Sequence, residues 1–502
     1  MRNLFLAILL LNTFNLFCQS ESKPNFIFII TDDQTYTTVA SQGNKEIITP
    51  NMDRLAKNGI TFSHAYNMGG WTSAICNPSR SMLNSGLSVW DTQKNNKKLK
   101  AKDSVAIAQS WGNIMNRAGY DTYFTGKWHV KTPVENVFDD VVHERPGMPK
   151  DTWRMKKMRP YFAKLKKLDS PERNKYLPVG YGRPLSKNDT SWLPYDKKMG
   201  GFWEGGKHWS EVLKDDAIEF IEKVEKKENP FFMYLAFSAP HDPHQAPKEY
   251  IDMYPLDNIS VPKNFLPEHP YNEEMGSGRS QRGECLAPFP RTEYAIKKHI
   301  QEYYATITYL DTQLGLILDK IEKSKIKDNT YIIFSSDHGM AMGQHGLIAK
   351  SNLYDHTIRV PLIITGKNIP KGKVLEQDIY YQDVMPTVLE MANIPKPEYV
   401  FFNSFLDILK NNKKESHYDA IYGGFKKHQR IIRKDNFKLM VFPKAKKIFL
   451  FDLKKDPLEM NNIADLPENK ERVIQLLEEL LELQKEMNDK LNLSPILNRI
   501  KE

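Results

Sequence analysis

Three continuous apolar runs, each followed within four residues by charged or imidazole side chains, constrain the fold of this chain most strongly. The runs cover residues 26–30, 230–237 and 331–334, and a fourth strand pattern covers 120–124. A run that is apolar at every position is typical of a strand buried on both faces of a parallel sheet. Ligands of such sheets bind beyond the carboxyl ends of the strands. The polar residues after these runs are therefore predicted to meet at one edge of a sheet.

The order of the patterns along the chain predicts an α/β protein of two domains. Residues 20–368 are expected to form a large sandwich domain whose mixed, mostly parallel central sheet is flanked by helices, such as the helix predicted at 211–226. From about residue 370 the pattern changes to short strands and one long helix, at 431–434, 438–442, 448–453 and 469–489. Residues 369–502 are therefore expected to form a smaller C-terminal domain with an antiparallel sheet and a helix.

The first 19 residues have the pattern of a signal peptide. Arg2 precedes an apolar run that is too short to span a bilayer comfortably, and no later stretch is apolar enough to cross one. We therefore expect an exported protein, periplasmic or secreted, that is cleaved between residues 18 and 21. Lipoprotein anchoring through Cys18 is the less favoured alternative, because Phe17 before it matches a lipobox poorly.

The net charge of +9 indicates polyanionic partners. Because no arginine-rich run or nucleic-acid motif stands out, sulfated or phosphorylated molecules are favoured over nucleic acid. After signal cleavage the chain retains two cysteines, Cys76 and Cys285. Exported proteins that need disulfides usually carry more, so we expect these two to remain unbonded.

Four of the predicted sheet-edge residues form an acidic group. These are Asp32, Asp33, Asp337 and His338. Adjacent carboxylates repel one another unless a cation lies between them. Three carboxylates suit a hard divalent cation such as Ca²⁺ or Mg²⁺ better than Zn²⁺, although the histidine leaves Zn²⁺ or Mn²⁺ open.

A second group is cationic and surrounds a cysteine. Cys76 lies at a predicted helix start, where unpaired backbone N–H groups stabilise an anion or a nucleophile. Five residues add donors suited to a tetrahedral oxyanion: Arg80, Lys127, His129, His241 and Lys350. Together the two groups indicate transfer or hydrolysis of a sulfuryl or phosphoryl ester.

Several motifs resemble those of the type I sulfatases, a family of the alkaline phosphatase superfamily, and in particular bacterial polysaccharide sulfatases. They are Thr31-Asp32-Asp33-Gln34, Cys76-Asn77-Pro78-Ser79-Arg80, Gly126-Lys127-Trp128-His129, Pro240-His241-Asp242-Pro243 and Ser336-Asp337-His338-Gly339. Lys350 and residues 359–361 follow as they do in the family, and residues 451–457 resemble its C-terminal signature. The resemblance covers nearly the whole mature chain.

The resemblance implies the chemistry of the site. Cys76 would be oxidised to 3-oxoalanine (formylglycine) by a formylglycine-generating enzyme, and would ligate one Ca²⁺ with Asp32, Asp33, Asp337 and His338. Relatives often have Asn at the last position, so Mg²⁺ or Mn²⁺ stays open.

The resemblance also implies roles around the nucleophile. Arg80 and Lys127 would hold the aldehyde hydrate and the sulfate oxygens, and His129 would orient the hydrate. Asp337 would activate the attacking hydroxyl, while His241 and Lys350 would contact sulfate and protonate or stabilise the leaving oxygen.

The implied substrate is a sulfated carbohydrate, such as the algal polysaccharides ulvan or carrageenan; a glycosaminoglycan or choline sulfate is a further alternative. The aperiodic, basic stretch at 131–205 suggests a substrate-binding insertion. Four residues are candidate substrate contacts: His244, His345, Trp203 and Trp209. Packing within the protein is an equally favoured role for the two tryptophans.

Three other functions fit the same motifs. One is hydrolysis of phosphonate or phosphate monoesters, because the superfamily is promiscuous, and another is a choline or aryl sulfatase. The third, a non-enzymatic alternative, is an inactive homologue that only binds glycans. The complete set of polar residues, including Arg80, Lys127 and Lys350, argues against it.

Overall fold

The computed structural model describes residues 23–149, 158–410 and 413–502. The predicted signal peptide and Cys18 lie outside the described residues. Within the described ranges, no helix combines the length and the apolar character that crossing a membrane requires.

The strands are β1 (Asn25–Thr31), β2 (Ile60–Tyr66), β3 (Gly69–Gly70), β4 (Asp121–Lys127), β5 (Asp140–Arg145), β6 (Phe231–Ala236), β7 (Thr330–Ser336), β8 (Arg359–Thr365), β9 (Lys373–Leu375), β10 (Ile379–Tyr380), β11 (Ile421–Phe425), β12 (Gln429–Lys434), β13 (Phe437–Phe442) and β14 (Lys447–Asp452). The α-helices are α1 (Pro50–Asn58), α2 (Cys76–Ser85), α3 (Val89–Lys100), α4 (Ser104–Ala108), α5 (Trp111–Arg117), α6 (Phe162–Leu165), α7 (Trp209–Val224), α8 (Lys248–Asp252), α9 (Glu293–Glu322), α10 (Asp355–Ile358), α11 (Val384–Met391), α12 (Leu406–Leu409), α13 (Lys470–Glu486) and α14 (Ser494–Lys501).

The large sheet is mixed and mostly parallel, as predicted. Its strand order is β10-β2-β8-β7-β1-β6-β4-β5, with β9 paired to β2. β1 lies between β6 and β7 and is parallel to both. β8 is antiparallel to β2 and to β7. β1, β4, β6 and β7 therefore end at the same edge of the sheet.

The two faces of this sheet are both buried, which explains the apolar runs. Ile27 and Ile29 of β1 pack into one hydrophobic cluster, which contains residues of α7 and α9. Phe26, Phe28 and Ile30 point to the opposite face and pack into a second cluster. Because alternate side chains of a strand point to opposite faces, a strand covered on both sides needs an apolar residue at each position.

The smaller sheet has the order β14-β13-β12-β11-β3, and its last four strands in the chain are antiparallel neighbours. The leucine stripe of α13 packs on this sheet, as predicted; its buried members include Leu476, Leu477 and Leu480. The edge strand β3 comes from the N-terminal half and pairs in parallel with residues 424–425 of β11. The two sheets are thus connected by the segment just before Cys76.

Two local features depend on contacts between distant parts of the chain. Thr49 precedes α1, with Pro50 in its first turn, but its side chain makes no capping hydrogen bond. The Thr49 hydroxyl instead accepts a hydrogen bond from the backbone of Ala40, at 2.9 Å. The strands β9 and β10 still pair with the large sheet although they follow residue 368, so the domain boundary there stays a prediction.

Candidate active site

The polar residues that follow the strands come together at one edge of the large sheet. A cavity of about 560 Å³ lies there, and it is lined by five of the predicted site residues: Asp33, Cys76, His129, His241 and Lys350. Part of the opposite wall is apolar and includes Pro146, Met148 and Met340. The cavity therefore combines a charged floor with an apolar side.

Cys76 is the first residue of α2, a helix whose ten residues are all buried. Its Sγ lies 3.6 Å from Lys127 Nζ and 3.7 Å from Lys350 Nζ. Burial opposes ionisation of the thiol, but Lys127, Lys350 and His129 outweigh it and hold the pKa of Cys76 well below its usual value. The surroundings of this side chain thus favour negative charge.

The adjacent carboxylates Asp32 and Asp33 contact different lysines. Asp32 forms an ion pair with Lys127, whereas Lys350 Nζ lies 2.7 Å and 2.9 Å from the two carboxylate oxygens of Asp33. Asp33 has a φ of 70°, and this uncommon backbone conformation directs its carboxylate differently from that of Asp32. Burial raises the pKa of both groups.

Asp337 is held by backbone and side-chain donors. Its Oδ2 accepts from Arg80 Nε at 2.8 Å, and its Oδ1 accepts from the Asp33 backbone N–H at 3.2 Å. Burial would raise the pKa of Asp337, but His338, Arg80 and Lys127 hold it below its usual range. Asp337 therefore lies among three cationic side chains, and its role as the base that activates the attacking hydroxyl stays a prediction.

Arg80 lies behind the nucleophile and not in the cavity wall. Besides Asp337, its guanidinium donates to the Lys127 carbonyl at 2.6 Å. Its Nη2 is buried and has no hydrogen-bond partner among the residues described. The contacts of Arg80 therefore fix Asp337 and the end of β4 directly.

Two histidines present the same ring nitrogen to the site. His338 Nδ1 lies 2.9 Å from the Gly339 carbonyl, and His241 Nδ1 lies 2.7 Å from the Asp242 carbonyl. Since a carbonyl only accepts, Nδ1 carries the proton in both rings and Nε2 is left for the site. His338 Nε2 lies 3.1 Å from Asp33 Oδ1.

His129 forms part of the cavity wall and is half-buried. It has a φ of 57°, and its carbonyl accepts a hydrogen bond from the Asn77 side chain at 2.5 Å. Burial lowers the pKa of its imidazole, although Cys76 opposes the shift. His129 therefore lies beside the start of α2, and its role in orienting the hydrate stays a prediction.

Four of the predicted ligands fit a divalent cation. Asp32, Cys76, Asp337 and His338 each offer one donor atom, and these atoms all lie within 4.8 Å of one another. Asp32 Oδ1 and His338 Nε2 are buried without a hydrogen-bond partner in the described part of the chain. Buried polar atoms are rarely left unsatisfied, so these atoms are available as ligands. Asp33 lies beside this group and contacts His338.

Sequence reasoning did not identify Arg282, which also lines the cavity. Its guanidinium forms an ion pair with Asp242 and donates to the Tyr181 hydroxyl at 2.9 Å. Asp242 Oδ1 in turn lies 3.3 Å from His241 Nδ1. Arg282 comes from a stretch without helical or strand periodicity, which gave no signal in the sequence.

Four candidate substrate contacts do not line this cavity. His244 is buried against the Tyr303 ring, with ring centroids 5.3 Å apart, and His345 stacks on Tyr354 at 4.0 Å. Trp203 and Trp209 are both buried; the Trp203 ring contacts His208 and the Trp209 ring contacts Phe202. Both tryptophans therefore pack within the protein, which is the second role that the sequence allowed for them.

Cys285 is buried and free, and it forms no disulfide with Cys76. Its Sγ lies 3.0 Å from Arg173 Nη2. Burial raises the pKa of this thiol to about 11. The two cysteines therefore have opposite electrostatic surroundings, and Cys76 alone contacts the cavity.

The chain matches two protein-family models and several known proteins. The sulfatase family model matches residues 24–394, and the model described as N-sulphoglucosamine sulphohydrolase, C-terminal, matches residues 343–486. An ulvan-active sulfatase of Formosa agariphila is 26% identical over 462 residues, which cover 89% of this chain and 78% of that protein.

Two solved structures share the fold. One is a protein in complex with its substrate D-glucosamine-2-N,6-O-disulfate, with a TM-score of 0.67, 23% identity and coverage of 93% of this chain and 99% of that one. The other is the phosphonate monoester hydrolase of Agrobacterium radiobacter, with a TM-score of 0.67, 20% identity and coverage of 93% and 96%.

Proposed function

Because this chain belongs to the sulfatase family and is a sulfuric ester hydrolase, we propose that it is exported, acts on a sulfated carbohydrate and uses Cys76 as formylglycine. One observation carries the proposal. Cys76 begins a wholly buried helix between two lysine ammonium groups, at the floor of a cavity lined by Asp33 and His241. An oxyanion and a nucleophile are both stabilised in such surroundings.

The side chain of Cys76 is the proposed nucleophile once it has been oxidised. The hydrated aldehyde supplies one hydroxyl for attack on sulfur and a second hydroxyl whose deprotonation allows sulfate to leave, which a single thiol or hydroxyl does not offer. Lys127 and Lys350 flank this position and would contact the oxygens of the transferred group. His129, at the start of α2, would orient the hydrate.

The proposed cation is Ca²⁺, with Mg²⁺ or Mn²⁺ as less favoured alternatives. Asp32, Asp33, Asp337 and His338 would hold it together with residue 76, and bound Ca²⁺ supplies positive charge next to the sulfate oxygens. The three carboxylates are also paired with Arg80, Lys127 and Lys350. These cations limit carboxylate repulsion in the folded protein.

His241 and Lys350 are proposed to act at the leaving oxygen. Burial and the nearby Lys350, Lys127 and Arg282 hold the pKa of His241 well below its usual value. A bound anionic ester adds negative charge at His241 Nε2 and raises that pKa, which favours a proton on this nitrogen. Asp242 and Arg282 hold the imidazole on its other side.

The substrate class is proposed from chemistry and from relatives. The similar protein of Formosa agariphila is named an ulvan-active sulfatase, and one structure of the same fold holds a disulfated glucosamine. The charged floor and apolar wall of the cavity suit a sulfate ester attached to a sugar ring. We therefore favour an algal polysaccharide such as ulvan, or oligosaccharides derived from it.

The mass of the proteolytic peptide that spans Cys76 tests the nucleophile. The protein is produced with a formylglycine-generating enzyme, and sulfate release is measured on the same preparation. We expect a peptide in which the thiol is replaced by an aldehyde, together with sulfate release from sulfated oligosaccharides. An unmodified thiol in protein that releases sulfate would overturn the proposed mechanism.

Hydrolysis of phosphonate or phosphate monoesters is the second candidate, because a phosphonate monoester hydrolase has the same fold. A transferred phosphonate is also tetrahedral and anionic, so the same lysines would contact it. Parallel assays with an aryl sulfate and an aryl phosphonate separate the candidates. A higher kcat/KM for the phosphonate would replace the sulfatase proposal.

A further inference from the structure

We propose that a groove beside the active-site cavity binds a second anionic group of the substrate, on a sulfated sugar unit beyond the ester that is hydrolysed. This inference rests on the proposed function, because it assumes a sulfated carbohydrate at Cys76. The groove, called the lysine groove here, has a volume of about 720 Å³. Its lining includes Trp71 and the lysines at positions 94, 97, 426, 427, 444 and 490.

Both parts of the molecule contribute to the lysine groove. Lys97 comes from α3, whereas Lys426 and Lys427 lie in the turn between β11 and β12. Lys444 lies in the turn between β13 and β14, and Lys490 follows α13. Residues that are far apart in the sequence are thus brought together, so this concentration of positive charge arises only in the folded protein.

Most of the charge in the lysine groove is not neutralised by the protein. Lys94 pairs with Asp91 at 2.9 Å. The other five lysines have no carboxylate of the described residues within salt-bridge distance. Asp489, which also lines the groove, is already bound by Arg430 at 2.8 Å. Uncompensated positive charge in a concave site attracts an anion.

The floor of the lysine groove is built from hydrogen-bonded side chains. The Arg430 guanidinium lies 4.6 Å from the centre of the Trp90 ring, and Trp90 Nε1 donates to the Tyr422 hydroxyl at 2.8 Å. The Tyr422 hydroxyl donates to Asp489 at 2.9 Å, and Arg430 Nη1 donates to the Lys426 carbonyl at 2.7 Å. This network fixes the turn that carries Lys426 and Lys427.

The lysine groove and the active-site cavity share a wall. Lys426 Nζ donates to the Ser73 hydroxyl at 2.6 Å, and Ser73 lines the cavity at Cys76. Trp71 lines the groove, and Ser73 and Ala74 line the cavity, so the segment of residues 71–74 between β3 and α2 separates the two. A carbohydrate chain with its ester at Cys76 can therefore extend across residues 71–74 into the groove.

The chemistry of the lysine groove fits a sulfated sugar. The groove offers five exposed or half-buried ammonium groups, which suit several sulfates. Each ammonium–sulfate contact near the surface is of modest strength. Trp71 is half-buried and offers an aromatic face to the apolar side of a pyranose ring. The inferred substrate therefore carries at least two anionic groups on adjacent or nearby sugar units.

The test measures binding of a heparin octasaccharide and of an ι-carrageenan hexasaccharide by calorimetry. Both proteins compared carry Cys76→Ala, so no turnover occurs. One of them also carries K97Q, K427Q, K444Q and K490Q. We expect the dissociation constant of at least one oligosaccharide to rise about tenfold or more, and the difference to shrink at high salt. Equal dissociation constants would overturn the inference.

A matched control removes four exposed lysines that do not line the groove: Lys187, Lys323, Lys454 and Lys470. Their replacement by Gln removes the same charge and is expected to leave binding unchanged. An equally large loss in this control would assign the effect to net charge and overturn the inference. A single-stranded DNA oligonucleotide that competes as strongly as the sugars at equal charge would overturn the carbohydrate assignment.

Hydrolysis of p-nitrophenyl sulfate by the matured protein with unaltered lysines is measured in parallel. Its absence, together with absence of sulfate release from oligosaccharides, would count against the proposed function. Release of sulfate combined with unchanged binding in the four-lysine variant would count against the groove alone. The two failures are therefore distinguishable.

Discussion

Two buried clusters of lysine and carboxylate side chains lie in the described part of this molecule, and they differ in what surrounds them. The active-site cluster contains Asp32, Asp33 and Asp337 with their cationic partners. The second, called the Lys438 cluster, joins Lys438 Nζ to Asp355 Oδ1 at 2.8 Å and to Glu459 Oε1 at 2.7 Å. Lys438 is fully buried.

The Lys438 cluster connects parts of the fold, whereas the active-site cluster faces a cavity. Lys438 lies in β13 of the small sheet and Asp355 begins α10, just before β8 of the large sheet. In the active-site cluster, Asp33 and Lys350 line the cavity together with Cys76. Buried charge alone therefore does not mark a catalytic site; charged side chains that line a cavity do.

Replacement of Cys76 by Ala is expected to have the largest effect. Sulfate release should fall by about 10⁴-fold or more, because the proposed nucleophile is lost. The thermal midpoint should fall less than in D32N, because one ligand of the proposed cation is lost but no ion pair of the cluster is broken. Activity within tenfold of the unaltered protein would show that residue 76 is not the nucleophile.

Replacement of Lys438 by Met is expected to act on stability instead. The free energy of unfolding should fall by about 3–5 kcal/mol, because two buried carboxylates lose their shared cation. Urea denaturation measures this loss, and kcat per folded molecule should stay within about twofold. The double variant K438M/E459L should lose less than K438M. Equal losses would contradict the assigned pairing.

Removal of the bound cation by a chelator should affect only the active-site cluster, because that cluster contains the proposed Ca²⁺ ligands. Treatment of the matured protein with EDTA should abolish activity and lower its thermal midpoint, and Ca²⁺ should restore both. At a hundredfold excess over Kd, a ligand adds about 2.7 kcal/mol to folding stability. The Ca²⁺ shift should persist in K438M and be lost in D32N. A shift that persists in D32N would place the cation elsewhere.

His241 lines the cavity and His345 does not, so the two histidines allow the same comparison at single side chains. H241N should lower kcat/KM by about a hundredfold, since a proposed acid at the leaving oxygen is removed. His345 stacks on Tyr354 outside the cavity, so H345N should change kcat/KM by less than about threefold and mainly lower the thermal midpoint. Equal kinetic losses in both variants would return His345 to the substrate site.

A smaller effect concerns pH and the Lys438 cluster. Burial raises the pKa of Glu459 from 4.5 to about 7, although Lys438 opposes the shift. Between about pH 4.5 and 7 the folded state holds a proton that the unfolded state has released, so the free energy of unfolding should decrease by up to about 3 kcal/mol as the pH rises through this range. E459Q should flatten this decrease. A slope that persists in E459Q would assign it to another group.

The large sheet agrees with the sequence prediction, because it depends on local patterns, whereas the roles of the site residues stay predictions. The apolar runs of β1, β6 and β7 require burial on both faces, and each run ends in the residues that meet at the cavity. Cys76 and Lys350 come from segments far apart in the sequence, yet their side chains lie 3.7 Å apart. The resemblance to the family's motifs predicted that these two residues lie in the same site.

The parts that the sequence did not predict depend on tertiary contacts. Arg282 lies in an aperiodic stretch, so only the fold brings it to Asp242. His345 and His241 both follow apolar strands in loops rich in polar residues, and nothing local separates the one that stacks on Tyr354 from the one that lines the cavity. Trp203 and Trp209 are similarly assigned to packing only by their burial.

The strand β3 has a consequence for how the protein is made. It pairs with residues 424–425, about 350 residues later in the chain, and it directly precedes the segment that leads to Cys76. Cys76 itself is 1% exposed in the folded protein. An enzyme that oxidises this side chain therefore has to reach it before folding is complete.

Because β11 is synthesised long after β3, there is a period in which Cys76 exists but folding is incomplete. Until the ribosome has made β11, β3 has no partner strand, and residues 69–70 cannot form their pairing with residues 424–425. The proposed oxidation of Cys76 and folding would then compete for the same stretch of chain, and molecules that fold first would be trapped as the unmodified thiol. Slower folding of the C-terminal region would accordingly increase the fraction of protein that becomes active.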